Sequence, residues 1–117
     1  MIDSDKSTRK QLTQKERKGQ ASFRKNILHV YNGACAITGI KQKEVLEAAH
    51  IQTYINEESN HIQNGICLRV DIHKLFDNGL LSIDSNYRVV ISSLLETTAY
   101  KKIKGKKIKL PKDKFRF

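Results

Sequence analysis

Four polar residues spaced along residues 47–79 constrain this chain more than any other feature of its sequence. They are His50, Asn64, His73 and Asp77, at successive intervals of 14, 9 and 4 residues. The last interval has a direct physical meaning, because residues four apart on a helix lie on one face, one above the other. An imidazole and a carboxylate arranged in this way can bind one divalent cation. The spacing therefore predicts a helix that carries a metal site at His73 and Asp77.

His50 is the candidate general base. It follows an apolar run that predicts a strand facing the helix. An imidazole, with an ordinary pKa of about 6.5, can take a proton from water at neutral pH. A histidine opposite a metal ion is therefore a hydrolytic arrangement. Taken singly, a strand histidine is usually structural and a His/Asp pair is often a surface contact, so the prediction depends on the combination.

The residues around this set predict two strands and a helix. Apolar runs at residues 45–51 and 65–70 are typical of strands, and the spacing of Ile72, Leu75 and Phe76 predicts a short amphipathic helix. Asp71 is expected to cap the start of this helix with its side chain. Asn-Gly at residues 78–79 is expected to end it.

Further elements are predicted on both sides of this unit. Upstream, apolar residues at helical spacing predict a helix over about residues 20–31, which ends at an Asn-Gly pair. A short strand that closes in a glycine turn is expected at residues 35–40. Downstream, residues 80–91 predict a β-hairpin. The fold class is therefore α+β, with a small ββα core, a preceding helix and a following β-hairpin.

In their order and spacing, three segments resemble the HNH endonucleases. They are Ala-Ala-His-Ile at residues 48–51, Asn-Gly-Ile-Cys-Leu at 64–68, and His-Lys-Leu-Phe-Asp-Asn-Gly at 73–79. The segments are similar to those of a restriction-endonuclease-like subfamily, and weaker matches extend the resemblance over roughly residues 17–111. The resemblance implies a ββα-metal core, also called a His-Me finger. It also implies hydrolysis of DNA to 5′-phosphate and 3′-hydroxyl ends.

The resemblance also implies roles for the site residues. Asn64 is expected to hydrogen-bond across the loop and hold His50, or alternatively to approach the metal directly or through water. The expected catalytic residues are His50, Asn64 and His73. The metal ligands are His73 and Asp77. Mg²⁺ is the expected ion, and Mn²⁺, Ni²⁺ and Zn²⁺ are alternatives because imidazole also suits them. Many relatives carry an additional ligand immediately before the base, where this chain has Ala49, which reduces the number of protein ligands.

The net charge of +10 is concentrated at the two ends of the chain. Residues 1–31 carry eight Lys or Arg and three Asp or Glu, residues 32–96 carry five and eight, and residues 97–117 carry nine and one. Basic flanks around an acidic centre that holds a cation suit a nucleic-acid ligand, although terminal lysines can also be merely solvated. We expect a basic arm at residues 1–18, the nuclease domain at 19–100 and a basic tail at 101–117.

DNA is the expected partner, and seven basic residues are the candidates to contact its phosphates. They are Arg17, Lys18, Arg24, Lys25, Lys101, Lys102 and Lys104. A homodimer, or a larger chain that supplies target recognition, is a further expectation, because one such site attacks one strand at a time. The alternatives are a DNA- or RNA-binding module without catalysis on the same fold, and a nuclease that cuts RNA.

Cysteine content and hydropathy indicate the cellular compartment of the protein. Cys35 and Cys67 are the only cysteines, too few for a disulfide scaffold or for the four-cysteine zinc knuckle of many HNH proteins. A structural zinc knuckle is therefore not expected. No apolar run approaches the roughly 20 residues that span a bilayer, and the first 18 residues lack the apolar segment of a secretion signal. We expect a cytoplasmic protein with no membrane partner.

Overall fold

The computed structural model describes residues 19–51 and 61–111. Its main elements are helix α1 (residues 19–30), strands β1 (Leu46–His50) and β2 (Gly65–Arg69), helix α2 (Val70–Asp77), and strands β3 (Leu81–Ile83) and β4 (Val89–Ile91). Short 3-10 helices lie at Lys43–Val45, Ile62–Asn64, Ser93–Leu95 and Ala99–Ile103. The predicted α+β class is confirmed. The predicted arm at residues 1–18 lies outside the described residues.

Helix α1 has an apolar face that contributes to the core. Phe23, Ile27 and Tyr31 are spaced four apart and are buried, as helical periodicity requires. The helix ends where Asn32 and Gly33 adopt positive φ angles of 57° and 66°. This geometry confirms the Asn-Gly cap, because asparagine and glycine tolerate the left-handed conformation that ends a helix.

The segment that follows α1 differs from its prediction. Residues 36–38 form a turn, and the Cys35 N–H donates to the carbonyl oxygen of Ile40 at 2.9 Å. The Cys35 sulfur accepts the N–H groups of Thr38 and Arg69, each at 3.4 Å. The predicted strand at residues 35–40 is therefore wrong: the segment folds back on itself, and the buried sulfur satisfies backbone donors.

Strands β1 and β2 pair antiparallel, and α2 begins immediately after β2. The register joins Leu46 to Arg69 at one end and His50 to Gly65 at the other. The pair and the helix packed against it form the predicted ββα core. His50 therefore lies at the loop end of the hairpin, at the edge of the core.

The start of α2 also differs from its prediction. Arg69 is the N-cap residue and makes no side-chain cap bond. The Asp71 carboxylate instead accepts hydrogen bonds from Arg69 Nε at 2.6 Å, Arg69 Nη2 at 2.9 Å and the Tyr100 hydroxyl at 2.7 Å. The prediction that Asp71 caps the helix is therefore wrong, because the guanidinium of Arg69 occupies its carboxylate. The end of α2 is as predicted, with Gly79 at a φ of 71°.

The chain after α2 packs on the same core. Strands β3 and β4 pair antiparallel, in agreement with the predicted hairpin. Ile108 is buried, and its N–H donates to the carbonyl oxygen of Tyr87 at 2.9 Å. The described part of the basic tail is therefore attached to the hairpin. Among the described helices, none has the length and apolar character to cross a membrane.

Candidate active site

A pocket of about 600 Å³ lies where α1, β1 and α2 meet. Its walls include Phe23 and Arg24 from α1, Glu47 and His50 from β1, and His73 and Asp77 from α2. Three of the four residues singled out in the sequence therefore share one pocket. The antiparallel register makes this possible, because it carries His50 to the edge of the hairpin over which α2 packs.

His73 is held between two carboxylates. Its Nε2 lies 3.1 Å from Asp77 Oδ2, one helical turn further along α2. Its Nδ1 lies 2.7 Å from Glu47 Oε1, on β1. The side chain of His73 is 21% exposed and that of Asp77 60%. The pair is therefore anchored on its inner side and open to solvent on its outer side.

Sequence reasoning missed Glu47. Its carboxylate accepts the Nδ1 proton of His73, because an ionised carboxylate can only accept. Nε2 then presents its lone pair toward the second carboxylate, on Asp77. Two acceptors at 3.1 Å repel each other unless a proton or a metal cation lies on Nε2. The signal in the sequence was a carboxylate within the apolar run of residues 45–51.

His50 lies against α1. Its ring stacks on that of Phe23, with centroids 4.2 Å apart and planes inclined by 3°. Across the hairpin, Asn64 is linked to the same strand end: the N–H of Ile51 donates to the Asn64 carbonyl oxygen at 2.7 Å. The backbone of Asn64 thus fixes the residue next to His50. A role for the Asn64 side chain remains a prediction.

Of the basic residues predicted to bind DNA, the structure describes five, and one of these lines the pocket. Arg24 lines the pocket, and its guanidinium donates to the Lys43 and Leu46 carbonyl oxygens, each at 3.2 Å. Lys25 is exposed. Three others do not line the pocket: Lys101 and Lys102 are exposed, and Lys104 pairs with Glu96 at 2.6 Å. Arg17 and Lys18 lie outside the described residues.

The two cysteines are buried and free. Burial, with the nearby Cys35 adding to the effect, raises the pKa of the Cys67 thiol to about 12. Cys67 is therefore protonated at neutral pH. In the part of the chain that the structure describes, no group of three or more His, Cys, Asp or Glu residues could hold a metal ion. Glu47 does not complete such a group with Asp77, since it contacts the opposite nitrogen of His73.

Comparison with protein families matches residues 35–84 to the HNH endonucleases. The matched segment contains β1, β2 and α2, and with them His50, Asn64, His73 and Asp77. Residues 35–84 are therefore similar to the HNH endonucleases. The HNH endonucleases are nucleases that generally use a divalent metal ion. A search of the curated proteins finds no match to the chain.

Proposed function

We propose that this protein is a metal-dependent endonuclease that hydrolyses DNA phosphodiester bonds, leaving 5′-phosphate and 3′-hydroxyl ends. The observation that carries the proposal is the contact between His73 Nε2 and Asp77 Oδ2, 3.1 Å apart on the wall of the pocket that also contains His50. A metal cation on Nε2, like a proton there, would remove the repulsion between these two acceptors.

The residues at this position fit a divalent ion. Two neighbouring ligands that each bind Mg²⁺ at about 2.1 Å in octahedral geometry lie roughly 3 Å apart, close to the observed separation. Imidazole and carboxylate together suit Mg²⁺ and Mn²⁺, and also Ni²⁺ or Zn²⁺. The ion would neutralise charge on the scissile phosphate and on the leaving 3′ oxygen. With His73 and Asp77 as the only protein ligands, other coordination positions are left for water and phosphate.

The remaining roles belong to side chains of the same pocket. His50 takes a proton from the attacking water, which requires the neutral imidazole. Glu47 accepts the Nδ1 proton of His73 and so keeps Nε2 directed at Asp77. A hydrogen-bonded partner of this kind orients a histidine ligand and raises its basicity.

DNA is the proposed substrate because basic segments flank the site residues along the sequence. Arg24 is at the pocket, and Lys25, Lys101, Lys102 and Lys104 can contribute phosphate contacts that raise affinity without reading sequence. The restriction-endonuclease-like motifs support a role as a restriction endonuclease or as its catalytic domain. Cleavage of both strands would then favour a homodimer or a larger assembly.

Cleavage of supercoiled plasmid tests the proposal. Wild type is compared with His50→Ala and His73→Ala in Mg²⁺, Mn²⁺ or Ni²⁺, and in EDTA. His29→Ala is the matched control, since His29 is an exposed histidine of α1 outside the pocket. We expect metal-dependent nicking or linearisation by wild type and by the control, reduced by about 100-fold or more when His50 is removed. Discrete fragments would support sequence specificity.

Other outcomes of the cleavage assay would contradict the proposal. Wild type that binds DNA in a salt-dependent manner, but does not cleave it with any of these metals, would refute the nuclease proposal and favour a binding module. An RNA substrate of the same length, run in parallel, distinguishes a nuclease that prefers RNA. Equal cleavage by wild type and His50→Ala would remove His50 as the base.

A further inference from the structure

Helix α1 lies outside the segment that matches the family, yet it forms one wall of the pocket. The match begins at residue 35, whereas Phe23 and Arg24 both line the site. We infer that Phe23 is a positioning residue of the nuclease, which fixes the plane of the His50 imidazole by stacking on it. The inference rests on the proposed function, because it concerns the base of that reaction.

The contact between the two rings is close and almost parallel. The centroids are 4.2 Å apart and the planes differ by 3°. Phe23 is only 2% exposed, so the core holds its ring in place. The terminal torsion of a histidine side chain is otherwise broad. The stack therefore restricts the ring of His50 to one plane.

Fixing this plane has a chemical consequence. Both imidazole nitrogens direct their N–H bond or lone pair within the plane of the ring. The stack therefore sets the directions along which His50 can accept a proton. Effective proton transfer requires the base within hydrogen-bond reach and correctly oriented.

Two neighbouring features hold α1 at the distance that the stack requires. Arg24 follows Phe23 on α1 and donates to the carbonyl oxygen of Leu46 at 3.2 Å. Leu46 begins β1, the strand that His50 ends. Gly65 is the cross-strand partner of His50 and leaves room for the phenyl ring. A Cβ atom at Gly65 would lie 2.7 Å from Phe23 Cζ.

The stack also favours the charge that forms during the reaction. His50 becomes an imidazolium when it accepts the proton from water. The face of an aromatic ring attracts a cation within about 6 Å of its centroid. Phe23 therefore orients the base and presents the face of its ring to the charge that forms during the reaction.

The test compares Phe23→Leu with Val89→Ala. The first variant removes the ring and keeps an apolar side chain, and the second removes core packing on β4, away from the pocket. Thermal unfolding establishes that both variants fold. NMR of the His50 ring protons in EDTA reports the stack without any catalysis, and kcat and KM for DNA in Mn²⁺ report its effect.

We expect Phe23→Leu to move the His50 ring protons downfield, since the ring current of Phe23 is lost. We expect kcat to fall by about 10- to 100-fold with little change in KM, and Val89→Ala to change neither. Unmoved His50 protons in Phe23→Leu, or a kcat equal to that of Val89→Ala, would overturn the inference. Phe23→Met replaces Phe23→Leu, under the same criteria, if the latter does not fold. Absence of cleavage by wild type would refute the proposed function instead, while the NMR shifts would still decide whether Phe23 orients His50.

Discussion

Substitution of Gly65 by alanine should destabilise the protein through a steric clash. The new Cβ atom would lie 2.3 Å from Ile27 Cδ1, 2.6 Å from Ile27 Cγ1 and 2.7 Å from Phe23 Cζ. Real Cβ contacts do not occur at such distances. Ile27 is 0% exposed and Phe23 2%, so neither side chain can move away into solvent. Glycine is required here for space.

Two opposing effects set the change in the free energy of unfolding on Gly65→Ala. Alanine restricts the unfolded chain and by itself stabilises by about 0.4–1 kcal/mol. Overpacking of a filled core destabilises by about 1–3 kcal/mol. The clash involves three atoms of two fully packed side chains, so the second term should dominate. For a small domain, each kcal/mol lost lowers Tm by roughly 4–8 °C.

Urea and thermal unfolding of wild type and Gly65→Ala measure this loss. The midpoint should fall while the m-value stays unchanged, because the surface exposed on unfolding is the same. Ile27→Val removes the nearest of the clashing atoms and costs about 0.5–1.5 kcal/mol on its own. In the double variant, the two losses should be less than additive. A Gly65→Ala protein as stable as wild type, or strictly additive losses, would refute the reasoning.

Three further predictions concern hydrogen-bonded carboxylates and their partners. Glu47→Gln should lower the rate of cleavage, or raise the Mn²⁺ concentration needed for it, by about 10- to 100-fold, because the charge that supports the His73 ligand is lost. A Mn²⁺ titration of cleavage that superimposes on that of wild type would contradict this role. Asp71 should make the free energy of unfolding depend on pH in the acidic range. Its hydrogen bond from Arg69, aided by Tyr100, lowers its pKa from 3.8 to about 2, so the stabilisation is complete above about pH 4 and is lost as the pH falls toward 2. Unfolding free energies of wild type and Asp71→Asn should converge over this window, and parallel pH curves for the two proteins would show that the pair contributes nothing. Tyr100→Phe should lose about 1 kcal/mol at neutral pH, measured by urea unfolding, and an unchanged midpoint would show that this hydroxyl is equally well satisfied by water.

The elements of the core could be predicted because local chemistry determines them. Asn32 and Gly33 end α1, and Gly79 follows the end of α2, since few other residues tolerate the left-handed backbone found there. The strands at Leu46–His50 and Gly65–Arg69 follow from apolar runs bounded by polar loops. The pairing of His73 with Asp77 follows from helical geometry alone.

What the sequence did not reveal depends on contacts between distant segments. Glu47 meets His73 only because α2 packs on β1, and nothing local specifies that packing. Asp71 is a plausible cap from the sequence, but in the structure its carboxylate contacts Arg69 and Tyr100, the latter 29 residues away. The apolar run at residues 35–40 suits either a strand or a turn, and the hydrogen bond from Arg69 to the Cys35 sulfur is invisible in the sequence.

A titration of Mn²⁺ followed by electron paramagnetic resonance tests most directly whether His73 and Asp77 form a catalytic metal centre. Wild type is compared with His73→Ala, Asp77→Asn and the control Glu44→Gln, which changes an exposed carboxylate outside the pocket. We expect one bound Mn²⁺ per chain in wild type and control, with affinity reduced at least about 10-fold in the two site variants and cleavage lost in parallel. Equal Mn²⁺ affinity in all four proteins would contradict the assignment of this pair as the metal site.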